Sequence, residues 1–313
     1  MIFAGMEPIP GIHLTQQLGK GAFGEVWEGL TADGSPVALK FIDCRAKPPS
    51  LISSEIRVLR GLSSFHHPNI IEFHEVHATS RYIVLRMERA AGNLADLQRA
   101  FQHETGTVLP PQHLVNLLGQ AAAGLDFLAG VRLPGFNVVS RGLQHCDVKP
   151  SNLLILGDTV KVADFGLCAA TTWQTHWNSW KCTLPYAAPE LFKGQASDRT
   201  DQYALAVTYC ELLTGGRAIL STKTLEAGLA VIPVDFMKVP DPQVPVIRRA
   251  LHPIPSLRWP SCQDFIAALR QVVQGPGRTP RPLSGQFRRS LRRVGTVRTP
   301  HWLSPQGRVS RDS

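Results

Sequence analysis

The sequence predicts an α+β fold, in which a strand-rich first part precedes a mainly helical second part. Five stretches have strand-like composition, at 14–18, 25–28, 36–42, 70–76 and 81–87. Apolar residues recur at helical spacing in one early stretch, 50–62, and again in the later stretches 114–128, 201–213 and 262–273. A run of strands followed by a run of helices is typical of α+β proteins, because the helices then gather on one side of an antiparallel sheet.

The composition is that of a globular protein from a reducing compartment. Of the 313 residues, 43% are hydrophobic, and the length is typical of about two domains. The six cysteines form no C-x-x-C pair and no tight cluster, which argues against a structural zinc site and against a secreted disulfide framework. The N-terminus does not resemble a signal peptide, and no apolar run approaches the ~20 residues of a membrane span. We therefore expect a cytoplasmic protein.

The net charge of +9 is concentrated at the C-terminal end. Residues 274–313 contain nine arginines and one acid, Asp312, and so carry +8 of that total. Proline, glycine and serine are frequent there and helical periodicity stops, so we expect a disordered basic tail. Because the preceding residues are nearly neutral as a group, no specific nucleic-acid binding is expected of the folded part.

The residues with the clearest chemical signature lie in the stretch 143–154. Asp147, Lys149 and Asn152 fall within six residues, directly before a short apolar strand, and Asp164 follows twelve residues after Asn152. Phosphoryl transfer uses such a set of residues. An Asp accepts the proton of the attacking hydroxyl, a Lys stabilises the transferred phosphate, and an Asn and a second Asp bind Mg²⁺.

A glycine-rich turn between two predicted strands indicates a nucleotide-binding hairpin. Gly19, Gly21 and Gly24 form a G-x-G-x-x-G motif, in which the absence of a Cβ lets the backbone approach a phosphate chain. A dinucleotide-binding fold uses the same motif, but there a helix must follow the last glycine. Here Val26 extends the motif to G-x-G-x-x-G-x-V within a strand, and the next strand carries Lys40. This pattern favours a nucleotide bound beneath a strand-flanked glycine loop.

These motifs together resemble those of the protein kinases, and in particular the serine/threonine branch and the bacterial Hanks-type kinases. Residues 145–152 (H-C-D-V-K-P-S-N) match the H-R-D-x-x-x-x-N signature, 164–166 match D-F-G, and 188–190 match A-P-E. Two features resemble the serine/threonine branch. They are Lys149, two residues after Asp147, and Thr183, shortly before A-P-E. One residue departs from the pattern, because Cys146 stands where the family has arginine.

The resemblance implies a two-lobed protein kinase fold over residues 11–273. The N-lobe, 11–88, is then a small antiparallel β-sheet with one key helix, and the C-lobe, 89–273, is larger and mainly helical. Residues 1–10 become an N-terminal extension and 274–313 the basic tail. The resemblance also implies ATP and Mg²⁺ as cofactors and protein substrates with serine or threonine acceptors, while the oligomeric state stays open.

The same resemblance implies roles for individual residues. Asp147 and Lys149 would act on the acceptor hydroxyl and the transferred phosphate, Lys40 would bind the α- and β-phosphates and pair with Glu55, and Asn152 and Asp164 would hold the metal. The expected nucleotide-binding residues lie on the glycine loop, the following strand, the hinge at 87–90 and the strand after the catalytic loop, 145–152. They are Leu18, Gly19, Lys20, Gly21, Gly24, Val26, Ala38, Lys40, Met87, Glu88, Ala90 and Leu154.

Two structural contacts are implied as well. Asp201 matches the family aspartate that holds the catalytic-loop backbone, and Arg258 matches the arginine that pairs with the glutamate of A-P-E, Glu190. The histidines at 66, 67, 74 and 77 show no metal-ligand grouping and are interpreted as structural.

Two other functions compete with the kinase interpretation. A pseudokinase that binds nucleotide and acts as a scaffold or regulator stays open because of Cys146, although the other signature residues are present. A cysteine hydrolase built on His145 and Cys146 is disfavoured, since adjacent residues rarely orient a base towards a nucleophile.

The basic tail suggests docking to an acidic partner or a membrane surface, from which phosphorylation would release it. The alternative is a solvated segment without a partner.

The substitution at Cys146 also bears on the activation segment, the stretch between D-F-G and A-P-E, and on whether its phosphorylation controls activity. Many kinases order this segment when a phosphate is bound by the catalytic-loop arginine, and here that cation is missing. Three tryptophans, at 173, 177 and 180, would share one face of a helical segment and could order it by burial instead. We therefore expect activity that does not depend on phosphorylation of the segment. An exposed tryptophan patch or a disulfide between Cys146 and Cys168 are alternatives.

Overall fold

A five-stranded antiparallel sheet forms the N-lobe, in which the strands follow chain order except that the fifth strand lies between the third and the fourth. The computed structural model describes residues 2–21, 24–45, 52–53, 56, 59–61, 63–79, 81–132, 142–165, 169–170, 183–216 and 234–275. The strands are β1 (Ile12–Gly21), β2 (Gly24–Thr31), β3 (Pro36–Asp43), β4 (Phe73–Ala78) and β5 (Tyr82–Glu88). The described residues between 52 and 63 are helical, as predicted for the helix that follows β3.

The two faces of this sheet carry different apolar clusters, because side chains alternate along each strand. On β3, Val37, Leu39 and Phe41 face one cluster, which also contains Trp27 and Val84. The intervening positions of β3 face the main core that continues into the C-lobe. The predicted antiparallel N-lobe sheet is confirmed.

The N-terminal segment before β1 covers the outer cluster of the sheet. Ile9 is only 4% exposed, and Ile2 and Met6 pack against the same cluster. The segment also pairs with β1 through its backbone, since Gly5 N–H donates to the Leu14 carbonyl at 2.7 Å and Leu14 N–H donates to the Met6 carbonyl at 2.9 Å. The segment predicted as an extension is therefore packed against the N-lobe sheet.

The strand expected at 70–76 begins later than predicted, at Phe73. Ile70 instead forms a parallel bridge with Val162, and Ile71 N–H donates to the Val162 carbonyl at 2.9 Å. These two apolar residues thus connect the N-lobe to a C-lobe strand, a pairing that strand propensity alone does not distinguish from membership in the sheet.

Helices dominate the C-lobe, as the predicted α+β kinase fold requires. They are α1 (Leu94–Thr105), α2 (Pro111–Gly130), α3 (Thr200–Thr214), α4 (Val244–Ala250) and α5 (Cys262–Gln274). The short strands between them are β6 (Gly92–Asn93), β7 (Leu143–Gln144), β8 (Leu153–Leu156), β9 (Thr159–Val162) and β10 (Ala169–Ala170). None of the described helices meets the length and apolarity that crossing a bilayer demands.

The helix α2 lies at the centre of the C-lobe and packs against α3, α5 and β9. It starts three residues before the predicted stretch, at Pro111, because proline is well suited to the first turn of a helix. Its Asp126 carboxylate accepts the backbone N–H groups of Cys262 and Gln263, both at 2.9 Å, and so caps the N-terminus of α5.

A glycine closes the connection from α2 to the catalytic loop. The stretch 130–142, which contains Pro134 and several glycines, is expected from the sequence to be a surface insertion. Most of it lies outside the described residues, which resume at Gly142 with a φ of 74°. A Cβ at this position would lie 1.7 Å from the Ala129 carbonyl oxygen. Only glycine fits, so the turn that leads into β7 depends on this residue.

Candidate active site

The catalytic loop is held by the N-terminal end of α3. Asp201 accepts the backbone N–H of His145 at 2.7 Å and that of Cys146 at 2.8 Å, which confirms the predicted contact. Burial raises the pKa of the Asp201 carboxyl, while the hydrogen bonds from the two backbone N–H groups oppose that shift. The loop therefore depends on a buried carboxyl group, at the position that the resemblance to the kinase family indicated.

Two residues near the loop have backbone conformations that are rare outside glycine. Cys146 has a φ of 64° and Asp164 a φ of 69°. Such left-handed conformations cost free energy and persist where surrounding contacts hold them, often at functional sites. The Cys146 side chain is 4% exposed, and its thiol lies 3.7 Å from the Gln144 carbonyl. The position where the family has an arginine is thus occupied by a buried thiol.

Asp147 is the centre of a hydrogen-bond network of three other residues. Its Oδ2 accepts from Lys149 Nζ at 2.7 Å and from Asn152 Nδ2 at 3.0 Å. Its Oδ1 accepts from the Thr183 backbone N–H at 3.1 Å and from the Thr183 hydroxyl at 2.7 Å. Lys149 Nζ also donates to Thr183 Oγ1, at 2.6 Å. The network shows that an alcohol oxygen fits between the carboxylate of Asp147 and the ammonium of Lys149.

Lys40 and Asp164 form the second polar pair of the site. Lys40 Nζ donates to Asp164 Oδ1, and the Lys40 side chain is only 7% exposed. The pair brings together the cation expected to bind phosphate and a carboxylate expected to bind metal, across 124 residues of sequence. Glu55, the predicted partner of Lys40, lies outside the described residues, and the pairing of Lys40 with Asp164 was not predicted.

An aromatic stack connects the N-lobe sheet to the catalytic loop. The Phe165 ring packs edge-on against Phe73 of β4 at 5.5 Å and against His145 at 5.2 Å between ring centroids. His145 Nδ1 accepts the Asp147 backbone N–H at 3.2 Å, so its Nε2 carries the proton and donates to the Ala163 carbonyl at 2.8 Å. The histidine thus packs and orients Asp147, a connection that the sequence analysis did not predict.

The glycine loop is a hairpin whose last glycine cannot be replaced. Gly24 has a φ of 133°, and a Cβ there would lie 1.9 Å from the Phe41 carbonyl oxygen. A Cβ on Gly19 or Gly21 would meet nothing within 4 Å, so these two glycines border open space. The first strand of the hairpin is longer than predicted, since β1 spans Ile12–Gly21 and the sequence indicated 14–18.

Several of the other predicted nucleotide-binding residues share one face of the N-lobe sheet or pack against the same core. Val26 pairs with Lys40 and Ala38 with Met87 across the sheet, which puts these side chains on one face. Leu18, Val26 and Leu154 are partly buried against the main core that contains Ala38 and Met87. Of the remaining residues, Lys20 lies on β1, Glu88 is the last residue of β5, and Ala90 follows two residues later.

The donor set fits a nucleotide with Mg²⁺. Asn152 uses its amide nitrogen for hydrogen bonds to the Asp147 carbonyl and carboxylate, which leaves its amide oxygen for a ligand. That oxygen and the Asp164 carboxylate are the hard donors that Mg²⁺ prefers, and substrate phosphates usually complete its coordination. Within the described ranges, no three His, Cys, Asp or Glu residues form an all-protein metal site.

The segment that ends at Glu190 is held by a buried ion pair. Arg258 Nη1 and Nη2 donate to the two Glu190 carboxylate oxygens at 2.8 and 2.7 Å, which confirms the predicted pairing. The hydroxyls of Ser197 and Thr200 donate to the same carboxylate at 3.1 and 2.8 Å. The Arg258 side chain is fully buried, so the pair is shielded from solvent.

The described cysteines do not have the environment of a reactive thiol. Burial raises the pKa values of the Cys210 and Cys262 thiols well above their ordinary value. A thiol that stays protonated is a poor nucleophile, which is the behaviour of buried structural cysteines. Cys168 and the three tryptophans of the activation segment lie outside the described residues.

The chain matches known proteins over most of its length. The family model described as protein kinase domain covers residues 12–273. The chain is 32% identical over 277 residues to the serine/threonine-protein kinase TIO of Arabidopsis thaliana, covering 84% of this chain and 20% of that protein. It is 28% identical over 277 residues to the serine/threonine-protein kinase PknH of Mycobacterium tuberculosis, covering 84% of this chain and 42% of that protein.

Solved structures agree with the family match. The crystal structure of the Mycobacterium tuberculosis PknI kinase domain has a TM-score of 0.65 and 25% sequence identity to this chain. The superposition covers 87% of this chain and 99% of that structure. The chain spans less than half the length of the TIO and PknH proteins.

Proposed function

Because the chain belongs to the protein kinase family, we propose that it is a serine/threonine protein kinase that transfers the γ-phosphate of ATP to serine and threonine hydroxyls of proteins. The observation that carries the proposal is the network of Asp147, Lys149 and Asn152, which accommodates an alcohol oxygen at Thr183 Oγ1. The serine/threonine kinases among its relatives support the same acceptor class. The kinase domain is proposed to span residues 11–273.

The nucleotide is proposed to bind in the cleft between the glycine hairpin and β8. Leu18, Val26, Ala38, Met87 and Leu154 provide the apolar walls for the base, and the hinge residues Glu88 and Ala90 offer backbone hydrogen bonds. The glycine loop, with Lys20 at its edge, covers the phosphates. Lys40 binds phosphate oxygens and is oriented by Glu55, as the family pattern implies.

Phosphoryl transfer is proposed to depend on orientation and charge compensation by the catalytic loop. Mg²⁺ held by Asn152 and Asp164 would neutralise charge on the phosphates. Asp147 receives a hydrogen bond from the acceptor hydroxyl and takes its proton as the oxygen attacks. Lys149, which donates to both Asp147 and Thr183 Oγ1, is positioned to stabilise charge beside the acceptor oxygen. His145 and Asp201 keep the loop in its left-handed turn at Cys146.

The direct test uses ATP labelled at different phosphates. The purified protein, incubated with Mg²⁺ and γ-labelled ATP, should label itself or a generic basic protein substrate, whereas α-labelled ATP should give no label and EDTA should abolish the reaction. A protein that binds Mg·ATP but transfers no label is the scaffold or regulator considered above, and that result would overturn the proposed function.

We also propose that activity does not depend on phosphorylation of the activation segment. The basis is the Cys146 side chain, which is buried and has no cationic group that could bind a phosphate. Changing Thr171, Thr172, Thr175 and Ser179 to Ala should lower turnover by less than about tenfold, ~1.4 kcal/mol of barrier. The turnover of this variant should equal that of wild-type protein treated with phosphatase. Trp177→Ala should lower the turnover, because burial of the tryptophans is proposed to order the segment. A larger loss in the four-site variant would show phosphorylation control instead.

The basic tail is proposed to contact an acidic partner or a membrane surface and not to contribute to catalysis. Helix α5 ends at Gln274 with a C-terminal hydrogen bond from Gly275 N–H to the Gln271 carbonyl at 3.1 Å, so a truncation after Gly275 keeps the helix intact. Removing residues 276–313 should leave kcat and the unfolding temperature unchanged, and should abolish salt-sensitive binding to anionic vesicles or an acidic polypeptide. Loss of folding in the truncated protein would contradict the proposed boundary.

A further inference from the structure

The hinge carries a second ion pair that no motif indicated. Arg89, directly after β5, donates from Nε to Glu28 Oε2 on β2 at 2.8 Å. The two side chains are 21% and 17% exposed, so the pair is partly shielded from solvent. Arg89 and Glu28 are referred to below as the hinge pair. Ion pairs that are partly removed from water are screened less by salt than exposed ones, so this pair can exert a larger effect.

The register of the sheet puts the hinge pair at the nucleotide cleft. Glu28 lies opposite Ala38, and two residues earlier Val26 lies opposite Lys40. Because side chains at alternate positions of a strand share a face, Glu28 is on the same face as Val26, Ala38 and Lys40. This is the face that carries the proposed nucleotide-binding residues, and Glu28 lies at its hinge end.

A single carboxylate connects both strands of the glycine hairpin to the hinge. Glu28 Oε1 accepts from the Thr15 hydroxyl at 3.1 Å and from Gln16 Nε2 at 3.0 Å, both on β1. Its Oε2 accepts from Arg89. Burial favours a raised pKa for Glu28, but the hydrogen bonds from Arg89, Gln16 and Thr15 outweigh it and keep the pKa below its ordinary value. Glu28 is thus held as the anion that Arg89 requires.

The hinge itself is anchored to the C-lobe. Glu88, the neighbour of Arg89, forms an ion pair with Lys161 of β9 and accepts the Glu72 backbone N–H at 2.8 Å. The hinge therefore has one charged side chain directed to the C-lobe and the next directed to the glycine hairpin. Because its contacts fix the hinge on the C-lobe, a contact between the hinge and the hairpin also fixes the position of the hairpin.

We propose that Arg89 and Glu28 are positioning residues that set the distance between the hinge, which faces the base, and the glycine loop, which faces the phosphates. The inference rests on the proposed function of the cleft. Preorganisation of this kind lowers the cost of ordering the loop when a ligand spans both parts. Loss of Arg89 would also leave the Glu28 carboxylate without a cation to compensate its charge, and this charge would oppose a polyanionic ligand in the proposed cleft.

The proposal predicts a difference between two ligands of the same cleft. Arg89→Ala should weaken Mg·ATP binding about fivefold, the effect of a partly shielded ion pair, and should change adenosine affinity by less than about twofold, since adenosine has no phosphates. The double variant Arg89→Ala/Glu28→Gln should bind Mg·ATP better than Arg89→Ala alone, because the unpaired charge is gone. Arg89→Lys, which keeps the charge, should restore most of the affinity. Titration calorimetry with Mg·ATP and with adenosine measures all four proteins.

A matched control and the turnover separate positioning from a structural role. Arg45→Ala removes an exposed pair with Asp43 in the same lobe and should leave both affinities unchanged. For Arg89→Ala, KM for ATP should rise while kcat stays close to wild type. Equal weakening of ATP and adenosine binding, or no change in either, would overturn the inference while leaving the proposed function intact. Failure of the wild type to bind Mg·ATP would overturn both. If Arg89→Ala does not fold, Glu28→Gln removes the carboxylate of the hinge pair instead. Its affinities for Mg·ATP and adenosine are then compared with those of Arg89→Lys, which keeps both charges.

Discussion

Asp147→Asn is expected to lower kcat by about a thousandfold while Mg·ATP affinity stays close to wild type, which is the scale of a lost general base. Asp147 accepts four hydrogen bonds, from Lys149, Asn152 and two groups of Thr183. The amide of asparagine keeps the shape but cannot take up the proton of the acceptor hydroxyl. Because this role belongs to the transition state, the loss should appear in kcat and not in ligand binding.

The measurement is steady-state turnover with a protein acceptor, together with calorimetric titration of Mg·ATP. Asp158→Asn is the matched control, since it makes the same substitution at an exposed position in the turn between β8 and β9. Unfolding temperatures of both variants exclude a loss of structure. A variant that retains more than about a tenth of wild-type kcat would exclude Asp147 as the general base.

Arg258→Met is expected to destabilise the fold by about 3–5 kcal/mol, because breaking a buried pair leaves an uncompensated charge. The variant loses both hydrogen bonds to Glu190, as well as those from Arg258 Nε to the His252 carbonyl and from Nη1 to the Arg199 carbonyl. The Glu190 carboxylate would keep only the hydroxyls of Ser197 and Thr200. Chemical denaturation of wild type and variant measures the difference.

Two further variants identify the cause of that loss. Glu190→Gln/Arg258→Met removes both charges and should recover part of the stability. Arg99→Met removes an exposed pair with Asp96 and should cost no more than about 1 kcal/mol. Equal stability of the Arg258 and Arg99 variants would show that the buried pair does not stabilise the fold.

The order of elements and several contacts could be predicted from the sequence. Hydrophobic periodicity and turn residues indicated the sheet and the helices, and the positions of Asp201 and Arg258 within motifs indicated their partners. These predictions succeeded because each depends on local spacing or on a pattern shared by a family. Element ends were less accurate, since Ile70 and Ile71 pair with Val162 of β9 instead of joining the sheet.

Other features depend on contacts between distant residues and leave no local signal. Arg89 and Glu28 are 61 residues apart, and neither belongs to a motif. The packing of Ile9 on the outer face of the sheet requires knowing that this face is otherwise uncovered. The left-handed backbone at Cys146 follows from the anchoring of its N–H by Asp201, because the residue type itself does not favour that conformation.

The most direct test of the proposed kinase activity is transfer to three matched peptides that differ only in the acceptor, which is serine, threonine or tyrosine. Wild-type protein with Mg·ATP should phosphorylate the serine and threonine peptides at their hydroxyls and leave the tyrosine peptide unmodified, as mass spectrometry of each product would show. Asp147→Asn should modify none of them above background. Phosphorylation of the tyrosine peptide alone, or equal labelling by wild type and Asp147→Asn, would contradict the assignment of a serine/threonine kinase that acts through Asp147.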